Sequence, residues 1–308
     1  DLLIKACQLC SLGTSHPQFI NSDVLVDQAL ARGSLGGPAV TLEDARSATP
    51  IGCLELAIPA KDSGYWFIGG LSNLAACMEF VMTNGVRRFD QKKIGLETGD
   101  PRQFKSFEEV EEAFRKQVAW GRRNSQISGN ITERIVAEIA PTVYESALIE
   151  NCIEEGICRE LGGAYYNFSN QLLPVGSNDA ADSLTAIKKL VFKDKKITID
   201  ELCDALDRNF EGYEELRQML LKTPKFGNDN DYADKQATFV SHVIASEATR
   251  LKKNLRGGYD GVCGGSAWSL EAIISKVVGA LPSGRRAGQP LNDAHSPCAG
   301  SDLKGPTA

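Results

Sequence analysis

The sequence lacks the features that mark membrane-spanning, secreted and nucleic-acid-binding proteins. Its longest apolar runs, such as residues 272–281, are interrupted and too short to cross a bilayer. A formal charge of −6 and a pI near 5.3 leave no basic field to hold phosphates, so we expect no nucleic-acid partner. No basic segment followed by an apolar one is present. We therefore expect a cytoplasmic protein with no membrane partner.

Cysteine and histidine are present in patterns that do not form a disulfide framework or a zinc site. The nine cysteines are scattered and odd in number, which is typical of reduced cytosolic thiols. Cys7 and Cys10 have the spacing of a metal or redox pair, but no second pair with suitable spacing follows. We expect them to be two buried side chains on one helix, and we expect no metal site.

Helical periodicity dominates the 308 residues, with two predicted capping boxes at Ser106/Glu109 and Thr198/Glu201. Short glycine-bearing segments lie between the helices, at 47–70, 159–178, 223–231, 256–267 and 279–300. Short strands that feed long helices predict an α/β architecture in one domain piece, with function on the connecting loops. The chain begins at Asp1 inside a helical pattern and ends without a closing element, so we expect an internal piece of a longer protein.

The first predicted catalytic residues are Cys53 and Glu55. In an extended segment residues i and i+2 share a face, so the thiol and the carboxylate would face one pocket. A thiolate needs a nearby histidine, lysine, arginine or helix N-terminus, whereas a thiyl radical does not. A hydrogen abstractor beside a proton-transfer group suits removal of a substrate hydrogen coupled to movement of a proton. A buried free cysteine beside a solvated glutamate is the alternative interpretation.

Seven separated segments, in order, resemble the glycyl radical enzymes of the pyruvate formate-lyase-like superfamily. GCLEL (52–56) resembles the thiyl motif of that family, and the residues from 13 to 33 resemble the segment before it. The other matches are NGVRRFDQKKIGLETGD (84–100), GGAYYNF (162–168), AADSLTAIKKLVF (180–192), TPKFGNDNDYAD (223–234) and GALPSGRRAGQPLNDAHSP (279–297).

The resemblance implies a helix-rich α/β fold, part of a ten-stranded barrel that is incomplete at both ends. Two loops would meet inside it, one carrying Cys53 and the other a radical glycine in an R-V-x-G-Y motif. That motif is missing here, since RGGYDG (256–261) lacks the valine and precedes the GALPSGRR segment. We therefore expect residues 1–308 to be the central portion of the catalytic domain, without the C-terminal glycine radical domain.

The resemblance further implies that no cofactor binds in this chain. A separate radical S-adenosylmethionine iron–sulfur activase would install the glycyl radical in the missing segment, and Cys53 would become the thiyl that abstracts hydrogen. A small-molecule substrate, a homodimer and an anaerobic cytoplasm are expected, and a small accessory subunit is left open. Without its missing domain the fragment would be inactive.

Departures from the family pattern bear on the reaction. Formate-lyase proper has two adjacent cysteines, whereas Cys53 is flanked by Gly52 and Leu54, and Glu55 belongs to members that eliminate or decarboxylate. Diol dehydratases place an aspartate fourteen residues after the cysteine, where this chain has Phe67.

With Tyr65 and Trp66, Phe67 predicts an apolar substrate-binding wall and an arylacetate decarboxylase, for example on 4-hydroxyphenylacetate. The three aromatic residues equally suit plain barrel core. A radical dehydratase, a C–N or C–S lyase, a fumarate-adding synthase and an inactive fragment stay open. Arg285 is a predicted substrate-binding residue that would hold a carboxylate bidentately, or it braces the tight turn beside Gly284.

Overall fold

The structure of this chain is a computed structural model that describes residues 1–13, 17, 19–34, 38–51, 55–63, 71–250, 256, 260–262 and 270–305. The α-helices are α1 (Leu2–Ser11), α2 (Ser22–Ser34), α3 (Leu42–Ser47), α4 (Leu74–Val81), α5 (Phe107–Ile139), α6 (Val143–Ser146), α7 (Cys152–Glu155), α8 (Ser177–Ala186), α9 (Ile199–Asp207), α10 (Glu214–Leu221), α11 (Asp231–Arg250) and α12 (Leu270–Ile274). A π-helix (Ile187–Lys193) follows α8, and 3-10 turns lie at Pro101–Gln103, Arg159–Leu161 and Ser275–Val277. The strands are β1 (Thr49–Ile51), β2 (Glu55–Ala57), β3 (Leu71–Asn73), β4 (Ser169–Val175) and β5 (Asp260–Val262).

Three of the strands form a parallel sheet in the order β3–β4–β5. Leu71 of β3 lies opposite Leu173 of β4, and Ser169 of β4 lies opposite Asp260 of β5. Parallel neighbours require long crossover connections, and here they are helical, as in an α/β protein. β1 and β2 form a separate antiparallel hairpin. The prediction of a helix-rich α/β architecture is confirmed.

Two of the glycine-bearing segments, 223–231 and 279–300, contain no strand among the described residues. Left-handed residues break both segments: φ is +85° at Gly227, +93° at Gly284 and +74° at Gly288. A strand cannot continue through such dihedral angles. These two segments are turn-rich loops.

The main core lies where α8 packs against α4 and α11, which both pack against α5. All ten residues of α8 are buried, and α11 packs along it. Side chains such as Met78, Phe114 and Leu184 are fully enclosed in this cluster. A helix that is buried all round must be covered by neighbours on every side, so α8 is the centre of this part of the fold. None of the described helices combines the length and the apolar character that a membrane span requires.

The two predicted capping boxes are confirmed, completely for α9 and in part for α5. Thr198 and Glu201 form the capping box at the start of α9. Ser106 caps α5, but Glu109 accepts a hydrogen bond from the amide of Lys105, so the second half of that predicted box is shifted by one residue.

Cys7 and Cys10 were predicted to be buried on one helix. They do share α1, but no residue of α1 is buried, Cys7 is exposed and Cys10 is half-buried. The prediction of their burial was wrong because α1 packs no face into the core.

Candidate functional site

The predicted catalytic motif begins between β1 and β2 and continues into β2. Ile51 and Glu55 are paired across the two strands, so residues 52–54 join them. Cys53 is one of these three and lies outside the described residues, as do Tyr65, Trp66 and Phe67. Glu55 is the first residue of β2, and its side chain is outside the described part. The described residues therefore include those that hold the motif in place.

The hairpin rests on a second, smaller core cluster. Leu56 and Ile58 are buried in it against Tyr166 and Phe168, and Ala57 between them is also buried. The rings of Tyr166 and Phe168 stack in parallel with their centroids 5.2 Å apart. Aromatic stacking adds to the area-based hydrophobic stabilisation, so β2 lies on a firm apolar platform. The platform comes from the GGAYYNF segment, one of the seven that carried the family resemblance.

The carboxylate of Asp44 accepts hydrogen bonds that link α3 to two other segments of the chain around the hairpin. Its Oδ2 accepts a hydrogen bond from the hydroxyl of Tyr166 at 2.7 Å, and its Oδ1 accepts one from the ammonium of Lys61, also at 2.7 Å. These two hydrogen bonds, the one from Lys61 first, hold the pKa of Asp44 below its ordinary value. Burial, together with the bond to Asp44, raises the pKa of Tyr166 to about 12. The cluster is therefore a charged, fully formed network at neutral pH.

The segment that follows the hairpin is held against the chain before β4. Asp62 and Tyr166 form a parallel bridge, and the amide of Ser63 donates to the carbonyl of Tyr166 at 3.0 Å. The hydroxyl of Ser63 donates to the carbonyl of Phe168 and accepts from the guanidinium of Arg256 at 2.7 Å. The same guanidinium pairs with Glu133 of α5 at 3.2 Å, with both side chains almost completely buried. Ser63 immediately precedes the segment that carries the predicted aromatic wall.

Arg285 is the one predicted site residue whose side chain is described, and its contacts favour the turn-bracing alternative. Its terminal nitrogens donate to the main-chain carbonyls of Gly279 at 2.9 Å, of Ser275 at 3.1 Å and of Gln289. The guanidinium is buried, and burial lowers its pKa. Because the same donors cannot also hold a carboxylate bidentately, its role as a substrate ligand stays a prediction without support from these contacts.

Arg285 also lines a cavity of about 730 Å³ that sequence reasoning did not identify. Asp179, Asp182, Lys225 and Cys298 line it as well. Burial raises the pKa of Asp182 to about 6 and that of Asp179 above its ordinary value, and it lowers the pKa of Lys225. Burial first, and then the charges of the two aspartates, raise the pKa of Cys298 well above the ordinary thiol value. The thiol is therefore protonated and is not a nucleophile.

A signal for this cavity was present in the sequence. The segments AADSL, TPKFGND and GALPSGRR all carried the family resemblance, and each contributes lining residues. The sequence did not indicate that these three segments lie against one cavity. Lys225 donates to the carbonyls of Leu220 and Ser283, which closes the loop after α10 onto the turn beside Gly284. These contacts link residues up to 58 positions apart.

The acidic loop before α11 is a capping structure. Asn230 accepts from the amide of Tyr232, and Asp234 accepts from the amide of Asn230. Asn228 donates to the carbonyls of Lys225 and Ser301. Within the described part of the chain no group of three histidine, cysteine, aspartate or glutamate side chains is arranged to hold a metal ion.

The comparisons with known proteins agree with this geometry. The pyruvate formate lyase-like family model matches residues 1–263. Trans-4-hydroxy-L-proline dehydratase of Clostridioides difficile is 36% identical over 314 residues, covering 99% of this chain and 38% of the dehydratase. Isethionate sulfite-lyase of Bilophila wadsworthia is 32% identical, covering 99% of this chain and 36% of the lyase.

Among solved structures, the glycerol-bound B12-independent glycerol dehydratase of Clostridium butyricum superposes with a TM-score of 0.90 and 35% identity. The match covers 99% of this chain and 37% of that structure. The chain thus spans less than two fifths of the length of these relatives. With the ordered motifs, the β1–β2 hairpin and the parallel sheet, the match over residues 1–263 shows that the chain belongs to the pyruvate formate lyase-like family.

Proposed function

We propose that this chain supplies the thiyl cysteine and its proton-transfer partner to the active site of a glycyl radical lyase. Cys53 would be the hydrogen-atom abstractor, and Glu55 would move the proton. The observation that carries the proposal is the position of the GCLEL motif. It begins between β1 and β2 and continues into β2, whose Leu56 packs with Tyr166 in the cluster that is joined to α3 through Asp44, in a chain of this family.

In the proposed reaction Cys53 transfers a hydrogen atom and Glu55 transfers a proton. Cys53 would give the hydrogen atom of its thiol to the glycyl radical, so that the S–H bond breaks, a C–H bond forms on the glycine and the unpaired electron moves to the sulfur. The Cys53 thiyl forms an S–H bond by taking a hydrogen atom from a substrate carbon, which leaves the unpaired electron on that carbon. In an elimination, the bond from the adjacent carbon to its leaving group then breaks, and Glu55 transfers the proton that accompanies the departure. The product radical takes the hydrogen atom back from Cys53, and the thiyl is regenerated.

The similarity of this chain to the relatives described above favours elimination from a small polar substrate as the reaction. Two of the relatives described above are dehydratases, and the third cleaves a carbon–sulfur bond as a sulfite-lyase. Glu55 suits each of these reactions, because each leaving group departs with a change in protonation. Decarboxylation of an arylacetate such as 4-hydroxyphenylacetate is the second candidate. Phe67, beside Tyr65 and Trp66, favours it by replacing the hydroxyl-binding aspartate expected in diol dehydratases.

The proposed reaction needs more than this chain. We infer that a radical S-adenosylmethionine activase installs the glycyl radical on a separate segment, anaerobically and in the cytoplasm. We also infer a homodimeric protein, with a small accessory subunit as an open alternative. The buried platform under the hairpin supports the requirement that water be excluded from a radical.

The experiment uses the protein in which this chain is joined to its glycyl radical segment, activated anaerobically. Turnover is measured with trans-4-hydroxyproline, glycerol, isethionate and 4-hydroxyphenylacetate. Glu55→Gln is expected to lower kcat by about 10²–10⁴-fold on the accepted substrate, with an unchanged glycyl radical yield. Glu43→Gln, an exposed carboxylate on α3, is the matched control and should leave kcat unchanged. Full activity of the Glu55→Gln protein would contradict the proposed role, and turnover of 4-hydroxyphenylacetate alone would select the second candidate.

A further inference from the structure

The residues that meet at Asp44 belong to three different parts of the chain. Asp44 lies on α3, which ends two residues before β1 begins. Lys61 lies in the turn through which the chain leaves β2, and Tyr166 lies in the segment that leads into β4. One carboxylate therefore joins the entry to the hairpin, the exit from it and the central strand of the parallel sheet. The hydrogen bonds span 17 and 122 residues of sequence.

The geometry makes this junction specific to ionised Asp44. Each carboxylate oxygen receives its own donor, a phenol on one and an ammonium on the other, both at 2.7 Å. Tyr166 is fully buried, and its ring is fixed by stacking on Phe168, so the direction of its hydroxyl is set. An amide in place of the carboxylate keeps the shape but offers only one acceptor oxygen for two donors.

Other groups face the same cluster. Glu150 lies 3.8 Å from the ammonium of Lys61, and the amide of Glu150 donates to the carbonyl of Ala60 in the turn after β2. Thr41 caps α3 by accepting from the amide of Asp44 at 3.1 Å. These contacts hold the turn and the helix separately, whereas the carboxylate of Asp44 connects them.

We propose that Asp44 is a positioning residue for the catalytic hairpin, acting through Tyr166 and Lys61. Its carboxylate fixes the two ends of the hairpin relative to β4 and so sets the position of the cysteine turn between β1 and β2. This inference rests on the proposed function only for its effect on turnover. Its structural part concerns the hairpin alone.

The structural part is tested by hydrogen–deuterium exchange of the backbone amides of β1 and β2 in the intact protein that contains this chain, without activation. Tyr166→Phe keeps the ring stacking and removes one hydrogen bond to Asp44, and Asp44→Asn removes the charge. Either variant is expected to speed exchange in the hairpin about tenfold, while exchange in α9 is unchanged. Tyr165→Phe is the matched control, because Tyr165 is the half-exposed neighbour in the same segment. If neither variant speeds hairpin exchange relative to α9, the inference is overturned.

The functional part is tested in the activated protein that carries the glycyl radical. Tyr166→Phe is expected to lower kcat 10–100-fold, with KM and the glycyl radical yield unchanged, because a small displacement of the reacting sulfur slows hydrogen transfer without altering substrate binding. Faster hairpin exchange with unchanged kcat would overturn the positioning role. A Cys53→Ser protein that still turns over would refute the proposed function, while the exchange result would stand on its own.

Discussion

The burial of Asp182 on α8 determines the direction and the size of an expected change in the free energy of unfolding with pH. Its carboxylate is almost completely buried, and Oδ1 accepts from the amide of Phe226 at 3.0 Å. Burial raises its pKa from 3.8 to about 6, although the charge of Lys225 opposes the shift. The folded state therefore holds this proton more tightly than the unfolded state does.

The pH dependence follows from that difference. Below pH 4 the carboxyl is protonated in both states and contributes nothing to the pH dependence. Between pH 4 and pH 6 the unfolded state ionises first, so the free energy of unfolding falls as the pH rises, and above pH 6 the loss is complete. A shift of about two pKa units corresponds to about 3 kcal/mol.

Asp182→Asn keeps the acceptor for the Phe226 amide and removes the titration. The free energy of unfolding of the variant, relative to the natural chain, is expected to rise by about 3 kcal/mol between pH 4 and pH 7. Urea unfolding at four pH values in this range measures it. Asp229→Asn is the control, because Asp229 is exposed and its left-handed backbone accommodates asparagine. A stability difference that stays flat with pH, or that falls, would refute the assignment of a buried, proton-holding carboxyl to Asp182.

Two further predictions concern the fold around the hairpin. Arg256→Met removes the buried cation that pairs with Glu133 and is expected to lower the free energy of unfolding by about 3–5 kcal/mol, whereas the double variant Arg256→Met/Glu133→Leu should recover part of the loss. Urea unfolding tests this, and strictly additive single effects would contradict the pairing. Gly163→Ala is expected to destabilise strongly, because its Cβ would lie 1.9 Å from the carbonyl oxygen of Ile157. Gly121→Ala in α5, where the Cβ meets only a sulfur at 3.8 Å, should instead be neutral or stabilise by up to about 1 kcal/mol in thermal unfolding, and equal losses would contradict this.

Sequence reasoning identified the features that depend on local pattern. The start of α9 at Thr198 follows from capping, which neighbours in sequence decide. The extended character of residues 49–51 and 55–57 also follows locally, from short apolar runs broken by Pro50 and Gly52. The family resemblance rested on short motifs in a fixed order, and the match over residues 1–263 confirmed it.

Contacts between distant segments could not be predicted in the same way. Nothing in the pattern around Asp44 indicates a partner 122 residues away, and nothing near Cys298 indicates two buried aspartates on α8. Arg285 stands in a motif that resembles a family signature, yet its donors are directed to carbonyls of its own turn. The burial of α1 was mispredicted because amphipathic spacing indicates which face is apolar and not whether a neighbour covers it.

Electron paramagnetic resonance of the activated protein, followed by addition of substrate, tests the central claim most directly. The natural protein and its Cys53→Ser variant are both expected to show the glycyl radical, because the radical is installed elsewhere. Only the natural protein should form product, while the variant should keep its radical and form none. Cys7→Ser, at an exposed thiol, should behave like the natural protein. Product formation by the Cys53→Ser protein at the natural rate would contradict the account.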